Sequence, residues 1–338
     1  MCFVGFMGHT LSQALAHKRK LSLKLYKYMS PELAEKFIKR PLLRITPAFC
    51  LNDPFEVSIP QVVLNDMKNE IIYGRESKFE NDLNRYMLSH GIISLSATND
   101  NLLMWSHYAK NHEGFVVEIL IDQNDEFSIF NTMHVPKSSD ASLCKVSYEE
   151  NRLLPYQFDV NSFNEARNYY YATKFLDWEY EREYRFIYPC ISATVLILDT
   201  KNLKYNSVVE KLKLNPPEVS AGRYREVNIK MLEIGWADAG NNGNHQFYNA
   251  LIDVWLDSKE NGAIFLVELS SKAIGKVFVG ARANVNEFER WFKCEDTLSD
   301  VNYYCYITES YVNVMEAKLD LDNFSVEFSP FNVADSVC

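Results

Sequence analysis

Runs of apolar residues, some alternating with polar ones and some continuous, predict a chain with many short strands. The clearest are an alternating run at 21–28 and a continuous run at 115–121, which is long enough for a central strand. The stretch 314–328 predicts a hairpin. Other strands are predicted at 42–46, 91–97, 127–135, 144–148, 194–198, 263–269 and 275–279.

Capping residues and helical periodicity place helices between several of these strands. The segment 30–32 supplies a serine N-cap, a proline at the first helical position and an early glutamate, so a short helix is predicted to run to about Lys39. Residues 98–100 are predicted to cap a second helix that contains 104–108. Further helices are predicted at 60–90, 161–175 and 285–294.

The order of these elements predicts the fold class. Strands and helices are mixed without regular strand–helix–strand alternation, which favours an α+β fold with mixed or mostly antiparallel sheets and packed helices. We expect a poorly defined head at 1–20, a single elaborated α+β domain at 21–330 and a tail at 331–338. A division of that domain into two lobes stays open, with a break near 203–217, where two prolines interrupt a loosely patterned stretch.

Composition narrows the classes of protein to consider. The net charge of -10, from 45 acidic and 35 basic residues, argues against bulk binding of nucleic acid or anionic membrane. We find no signal peptide pattern and no uncharged apolar run of about 18 residues, so a cytoplasmic protein with no membrane anchor is expected. Seven scattered cysteines without a C-x-x-C pair are typical of free thiols in a reducing compartment.

Several common site types have no signature in the chain. The glycines form neither of the phosphate-binding patterns found in P-loop and dinucleotide-binding proteins. His107 and His112 are five residues apart, which on a helix places them on different faces, so no metal site is expected. No nucleophile motif of a serine or cysteine hydrolase is present.

The densest chemistry lies between Lys174 and Tyr188. If residues 180–188 are extended, Glu181, Glu183 and Arg185 share one strand face, and the tyrosines and phenylalanine of this stretch share the other. One interpretation is a solvent-exposed strand with ion pairs. The other is a cleft, in which two carboxylates stabilise a positive centre or bind a ribose hydroxyl while the arginine holds phosphate.

Aromatic residues could form the walls of such a cleft or belong to the core instead. They are Trp105, Tyr108, Trp178 and Tyr180.

The loop at 52–56 also has two interpretations. It is either an Asx-type turn with Phe55 inserted in the core, or a binding loop that uses Asn52 and Asp53. Core packing explains three residues of the helix at 104–108, but not Ser106 and His107. We predict that the loop, these two residues and the segment 181–185 converge on one pocket, because polar groups at element ends usually serve binding.

Four ordered motifs carry a resemblance to a known family. They are LYKY at 25–28, NDPFE at 52–56, MWSHYA at 104–109 followed by His112 and Gly114, and a late set formed by Lys174, Trp178, Glu181, Glu183 and Arg185. Their order and spacing resemble the bacterial domain-of-unknown-function family twenty-nine seventy-one over roughly residues 21–330. That family implies no established activity.

A weaker similarity links the layout to ADP-ribosyltransferase-type enzymes, which use NAD. It rests on the first strand with its following helix and on the late Glu-x-Glu strand. This resemblance implies NAD as a substrate, Glu183 or Glu181 as the catalytic residue at the nicotinamide ribose, and Lys27 near the first-strand position usually held by histidine or arginine. Together with the cleft, the loop and the motifs described above, the candidate substrate-binding residues are Arg185, Lys27, Asn52, Asp53, Trp105, Tyr108, Lys174 and Trp178.

Three functional hypotheses follow. The leading one is an intracellular NAD-dependent ADP-ribosyltransferase-like enzyme acting on an unidentified small or macromolecular acceptor. The second is a non-enzymatic sensor of a ligand or protein, in stress or phage response. The third is a metal-independent nuclease-like toxin with His107 and His112 as its catalytic histidines, which the acidic net charge makes less favourable.

Overall fold

The structure is a computed structural model. It describes residues 22–57, 85, 88–131, 141–151, 163–215, 222–237, 243–284, 286, 292–297, 300–305 and 310–331. Contacts divide the chain into two compact units, and both are discontinuous in sequence. Unit 1 contains the described residues of 1–40, 96–130 and 270–338, and unit 2 those of 41–95 and 131–269.

Both units mix helices with strands, which confirms the α+β prediction. The strands are β1 (Ser22–Met29), β2 (Leu42–Arg44), β3 (Thr46–Pro47), β4 (His90–Ser96), β5 (Phe115–Asp122), β6 (Ser142–Lys145), β7 (Ser147–Glu149), β8 (Thr173–Phe175), β9 (Glu183–Pro189), β10 (Val195–Asp199), β11 (Tyr224–Asn228), β12 (Ile264–Glu268), β13 (Ile274–Val279), β14 (Phe292–Thr297), β15 (Asp300–Cys305), β16 (Ser310–Asp320) and β17 (Ser325–Pro330). The helices are α1 (Pro31–Lys39), α2 (Leu102–Tyr108), α3 (Phe163–Tyr171), α4 (Tyr205–Lys211), α5 (Ile229–Ala237), α6 (Gly243–Leu256) and α7 (Ser258–Asn261).

Unit 1 is built on a sheet in which β5 is flanked by β1 and β13. The strand order is β14-β15-β16-β13-β5-β1, and β17 also pairs with β16. The β13–β16 pair is parallel and the other pairs are antiparallel, as predicted for a mixed or mostly antiparallel sheet. The apolar run of β5 is buried along nearly its whole length, because a neighbour covers each edge of this strand.

Helix α1 begins and ends as its sequence predicts. The Ser30 hydroxyl accepts a hydrogen bond from the Leu33 amide at 3.4 Å, and Pro31 is the first helical residue. The helix buries Ala34, Phe37 and Ile38 on one face. The N-cap and the apolar stripe together fix this element.

The cap of α2 was predicted one residue too early. Asn101, rather than 98–100, caps the helix, since its Oδ1 accepts a hydrogen bond from the Met104 amide at 3.0 Å. The Thr98 hydroxyl and the Asp100 carboxylate are hydrogen-bonded to each other instead. The capping role therefore passes to the next residue with a side-chain acceptor.

After α2 the backbone turns through three consecutive left-handed residues, Lys110, Asn111 and His112, with φ values of 47°, 55° and 71°. The Asn111 amide donates to the Ser106 carbonyl, and the His112 amide donates to the Trp105 carbonyl. This turn brings Gly114 against β1, where an added Cβ would lie 2.0 Å from the Met29 carbonyl oxygen. Glycine at 114 therefore permits the close approach.

Unit 2 contains three groups of paired strands. One follows the order β4-β9-β6, with β3 on β4; a second follows β11-β10-β12-β2; and β7 pairs in parallel with β8. Helix α6 anchors the core through Trp255, which is fully buried, lies 5.0 Å from the Phe265 ring and donates its Nε1 hydrogen to the Leu88 carbonyl.

Three predicted elements differ from the structure. The predicted strand at 127–135 is wrong at its start, since Glu126–Ile129 forms a 3₁₀ helix in which the Ser128 amide and hydroxyl both donate to the Asp125 carbonyl, and its end at 132–135 lies outside the described residues. The strand at 144–148 is two strands, β6 and β7, interrupted at Val146. The helix at 161–175 ends at Tyr171, and β8 follows.

Other predictions fall partly on residues outside the described ranges. The predicted helices at 60–90 and 285–294 lie largely there, although 292–294 belongs to β14. The stretch 203–215 lies within unit 2 and contains α4. Helices α5 and α6 were not predicted, because their sequences show no clear hydrophobic pattern.

Two further findings concern the cysteines and the character of the helices. Three described cysteines, Cys50, Cys144 and Cys190, are free, as predicted. Among the described helices, none combines the length and apolar character that a membrane crossing needs.

We predict that Gly114→Ala lowers the free energy of unfolding by at least about 2 kcal/mol, because the new methyl group overlaps the Met29 carbonyl. The matched control is Gly235→Ala in α5, where an added Cβ meets nothing within 4 Å. Since alanine is the better helix former, this control should stabilise by about 0.5–1 kcal/mol. Urea denaturation measures both, and equal effects would contradict the close approach.

Candidate functional site

Five charged residues of unit 2 are buried together and form what we call the ion cluster: Glu56, Lys174, Glu181, Glu183 and Arg185. Three are carboxylates and two are cations. Charged side chains are almost never fully buried unless they are paired, so their arrangement decides whether this part of unit 2 is stable.

Arg185 lies at one end of the ion cluster and is 1% exposed. Its Nη2 is 2.6 Å from Glu56 Oε2 and 2.8 Å from Glu183 Oε2. Its Nη1 donates to the Tyr171 carbonyl at 2.9 Å, and its Nε has no hydrogen-bond partner among the described residues. The guanidinium thus joins two carboxylates that are far apart in sequence.

Lys174 lies at the other end and bridges all three carboxylates. Its Nζ is 2.7 Å from Glu181 Oε2, 3.3 Å from Glu56 Oε1 and 3.7 Å from Glu183 Oε2. The same ammonium is 4.4 Å from the centre of the Trp178 ring, a cation–π distance. Glu56 therefore contacts both cations, one through each carboxylate oxygen.

The backbone reaches this arrangement through a turn rather than a continuous strand. Leu176–Glu181 is a 3₁₀ helix, Arg182 is left-handed with φ 45° and ψ 49°, and β9 begins at Glu183. The prediction of an extended chain from 180 to 188 is therefore wrong at its start. Strand parity places Glu183 and Arg185 together, whereas the turn delivers Glu181.

Neighbouring strands complete the support. The Glu183 amide donates to the Tyr148 hydroxyl at 2.7 Å, and β6 pairs along β9, with Cys144 opposite Arg185. Most of β9 is buried on both faces. The interpretation of 181–185 as a solvent-exposed strand is therefore wrong.

The ionised states reinforce one another. Burial alone would raise the pKa of Glu183, but Arg185 and Lys174 lower that pKa below its ordinary value of 4.5. Burial lowers the pKa of Lys174, yet Glu183, Glu56 and Glu181 outweigh burial and raise it above 10.5. Opposite charges at these distances keep both groups ionised at neutral pH.

The loop at 52–56 is an Asx turn that points its residues differently from the prediction. The Phe55 amide donates to Asp53 Oδ1 at 2.8 Å, and the Glu56 amide donates to the Asp53 carbonyl at 3.1 Å. The prediction that Phe55 inserts in the core is wrong, because its side chain is 69% exposed. Glu56 takes the buried position, since the ion cluster holds its carboxylate.

A pocket of about 580 Å³ opens where this loop faces β8. Glu56 and Lys174 belong to both the pocket lining and the ion cluster. Three aromatic side chains, Phe55, Phe175 and Trp178, also line it. Glu181, Glu183 and Arg185 are not among its lining residues.

The pocket is rich in carboxylates. Besides Glu56, its lining includes Asp53, Glu149, Glu150 and Asp177. These four take part in none of the ion pairs formed between described residues. Lys174 is the one cation of the described lining, so the pocket carries excess negative charge. No set of three or more histidine, cysteine, aspartate or glutamate side chains in the described residues could hold a metal ion.

The structure brings together several of the predicted site residues. Asn52, Asp53, Lys174 and Trp178 line the pocket, and Glu181, Glu183 and Arg185 lie in the ion cluster behind it. The loop at 52–56 thus meets the segment 181–185 through the ion pair of Glu56 with Arg185, whereas the pocket itself is not lined by Glu181, Glu183 or Arg185.

Tyr180 belongs to unit 2 but is not among the pocket-lining residues, and the other remaining predicted residues belong to unit 1. Trp105 is fully buried, with its ring 5.6 Å from Tyr28 and its Nε1 donating to the Asn99 carbonyl. Tyr108 and Lys27 are half-buried, and His107 is exposed. The part of the convergence prediction that concerns Ser106 and His107 stays a prediction.

Sequence reasoning missed important residues. Glu56 was part of the recognised NDPFE motif but was not selected, although it contacts both buried cations. Tyr148 and the pocket carboxylates Glu149, Glu150 and Asp177 carry no motif at all. One signal in the sequence could have indicated these carboxylates: acidic residues cluster on both sides of an aromatic-rich segment.

Comparison with known proteins supports the family assignment. Residues 104–186 match the model of a family described as "Protein of unknown function (DUF2971)", which confirms the predicted family resemblance over that segment. It contains the MWSHYA motif and the late set from Lys174 to Arg185. No curated protein and no solved structure gives a significant match, and no similarity to ADP-ribosyltransferases is shown.

We predict that Arg185→Met lowers the free energy of unfolding by about 3–5 kcal/mol, because it leaves Glu56 and Glu183 buried beside a neutral side chain. The control Lys204→Met removes an exposed ion pair with Glu260 and should cost at most about 1 kcal/mol. Chemical denaturation followed by circular dichroism compares the two. A loss below 1 kcal/mol for Arg185→Met would contradict the pairing.

A second prediction concerns acid. Because the pKa of Glu183 is lowered on folding, its contribution to stability is complete above pH 4.5 and is lost as the pH falls through the folded value. Glu183→Gln should remove this component, so its unfolding free energy should fall less steeply than that of the wild type as the pH is lowered below 4.5. Denaturation curves across this range provide the test, and parallel slopes for both proteins would refute it.

Proposed function

We propose that this protein is a ligand-binding protein whose unit 2 pocket takes a small organic cation. The observation that carries the proposal is the pocket lining, in which four carboxylates have no cationic partner among the described residues and stand next to three aromatic side chains. This is the non-enzymatic ligand-binding hypothesis of the sequence analysis.

Charge favours a cation. The described lining has five carboxylates, namely Asp53, Glu56, Glu149, Glu150 and Asp177, and one ammonium, Lys174. An anionic ligand would add to the excess negative charge, whereas a cation would neutralise part of it. In a partly enclosed space the attraction is stronger than in bulk water, because less solvent screens it.

Aromatic side chains favour an organic cation. Phe55, Phe175 and Trp178 line the pocket, and the faces of such rings attract ammonium, guanidinium and pyridinium groups. The volume of about 580 Å³ lies within the range of small-molecule sites.

The ion cluster gives the pocket a rigid back wall. Glu56 and Lys174 are each held by at least two opposite charges, so their positions in the pocket are fixed before a ligand arrives. Fixed polar groups lower the ordering cost of binding. In this proposal Glu181, Glu183 and Arg185 are positioning residues that act through Glu56 and Lys174.

ADP-ribosyl transfer from NAD is the second candidate function. In its favour, the nicotinamide ring of NAD is a flat aromatic cation and so belongs to the ligand class of this pocket. Against it, the ADP half carries two negative phosphates, and the guanidinium of Arg185, the residue implied for phosphate, is already held by Glu56 and Glu183. We therefore rank it below simple cation binding.

We predict that isothermal titration calorimetry detects binding of the pyridinium cation 1-methylnicotinamide and of agmatine but not of neutral nicotinamide. Glu150→Gln and Asp177→Asn should each weaken binding about tenfold, which corresponds to about 1.4 kcal/mol. Glu210→Gln, which changes an exposed acid outside the pocket lining, is the matched control and should have no effect.

Competition separates the two candidate functions. The cation proposal expects that NAD, if it binds, is displaced by 1-methylnicotinamide and not by ADP-ribose. Displacement by ADP-ribose, together with release of nicotinamide from NAD in cell lysate, would favour ADP-ribosyl transfer. Failure of every cation to bind would refute the cation proposal.

A further inference from the structure

The mouth of the pocket exposes large apolar side chains. Phe55 is 69% exposed and Phe175 is 45% exposed, and both line the pocket. Leu176, which follows Phe175, is also exposed. Exposed aromatic residues at the edge of a pocket are typical of a surface that contacts a further apolar group.

The backbone explains why these rings point outward. Phe55 directly precedes Glu56, and Phe175 directly follows Lys174, so each exposed ring is the sequence neighbour of a buried charge. The ion cluster fixes Glu56 and Lys174, and therefore also fixes the positions from which the two rings emerge. Phe55 and Phe175, which we call the apolar rim, therefore line the same pocket as the carboxylates.

From this combination we infer that the natural ligand of the pocket is an arginine side chain presented by a polypeptide with apolar residues beside it. The inference rests on the proposed function and specifies its ligand. The guanidinium occupies the carboxylate-lined interior, and the neighbouring apolar side chains cover Phe55 and Phe175.

Guanidinium chemistry fits the lining better than an ammonium does. A guanidinium is flat, stacks on aromatic faces and donates paired hydrogen bonds to carboxylates, so it uses both kinds of group in this lining. The ring of Trp178 already has the ammonium of Lys174 at 4.4 Å. Phe55 and Phe175 are the two other aromatic side chains of the described lining.

A polypeptide fits better than the free amino acid. Free arginine carries an α-ammonium and an α-carboxylate, whose opposite charges largely offset each other near the acids at 149, 150 and 177, so charge alone does not favour a chain. The exposed rings do favour a chain, because free arginine or a small amine such as agmatine would leave Phe55 and Phe175 uncovered. An arginine with apolar neighbours in a polypeptide would both neutralise part of the negative charge of the pocket and cover Phe55 and Phe175.

The test uses the full chain and three acetylated, amidated tripeptides: Leu-Arg-Leu, Ser-Arg-Ser and Leu-citrulline-Leu. Citrulline keeps the shape of arginine without its charge. Calorimetry should show that Leu-Arg-Leu binds at least tenfold more tightly than Ser-Arg-Ser, and that the citrulline peptide does not bind. Replacing the arginine by lysine should weaken binding about tenfold, and equal affinity would overturn the guanidinium assignment.

Rim variants separate this inference from the proposed function. Phe55→Ser combined with Phe175→Ser should weaken agmatine, which loses ring contacts with its cation, and should weaken Leu-Arg-Leu at least tenfold more than agmatine. Leu203→Ser, at a fully exposed position of unit 2 outside the pocket lining, is the matched control and should change neither. Agmatine binding without any gain for Leu-Arg-Leu, or equal losses for both ligands in the rim variant, overturns the polypeptide inference alone. Absence of all cation binding overturns the proposed function with it.

Discussion

Three carboxylates and two cations lie out of water in unit 2, and they are stable there because each contacts at least one opposite charge. Removing a charged group from water costs several kcal/mol, and only well-placed partners offset that cost. The requirement constrains the loop at 52–56, β8, the turn at 176–182 and β9 at once. The same constraint determines the geometry of the pocket, because two of its lining residues are members of the ion cluster.

Local patterns were sufficient for the elements whose causes are local. Strand β5 and helix α1 were predicted well, because a continuous apolar run and a serine–proline start act within a few residues. The hairpin of β16 and β17 was also predicted. Helix α5 was missed, since it is apolar on several sides and has no clear polar face that would reveal a helical period.

The site was less predictable, because its contacts connect distant parts of the chain. Glu56 and Arg185 are 129 residues apart, and no local pattern indicates that they pair. A strand that begins with a glutamate and carries an arginine two residues later has the composition of a surface strand, so its burial becomes visible only with its partners. The exposure of Phe55 has the same origin, since the burial of its neighbour Glu56 decides which way the turn faces.

The Glu-x-Glu-x-Arg motif does not produce the arrangement of the ion cluster by itself, because that arrangement depends on the left-handed backbone of Arg182. On an uninterrupted strand its three side chains would form a row, with about 7 Å between successive members on one face. Here the reversal folds the first glutamate back, so that an ammonium can reach both glutamates. If the five-residue motif were grafted onto an ordinary hairpin, its charges would be present without the arrangement seen here. A graft that keeps this arrangement has to include the preceding turn and the lysine before it.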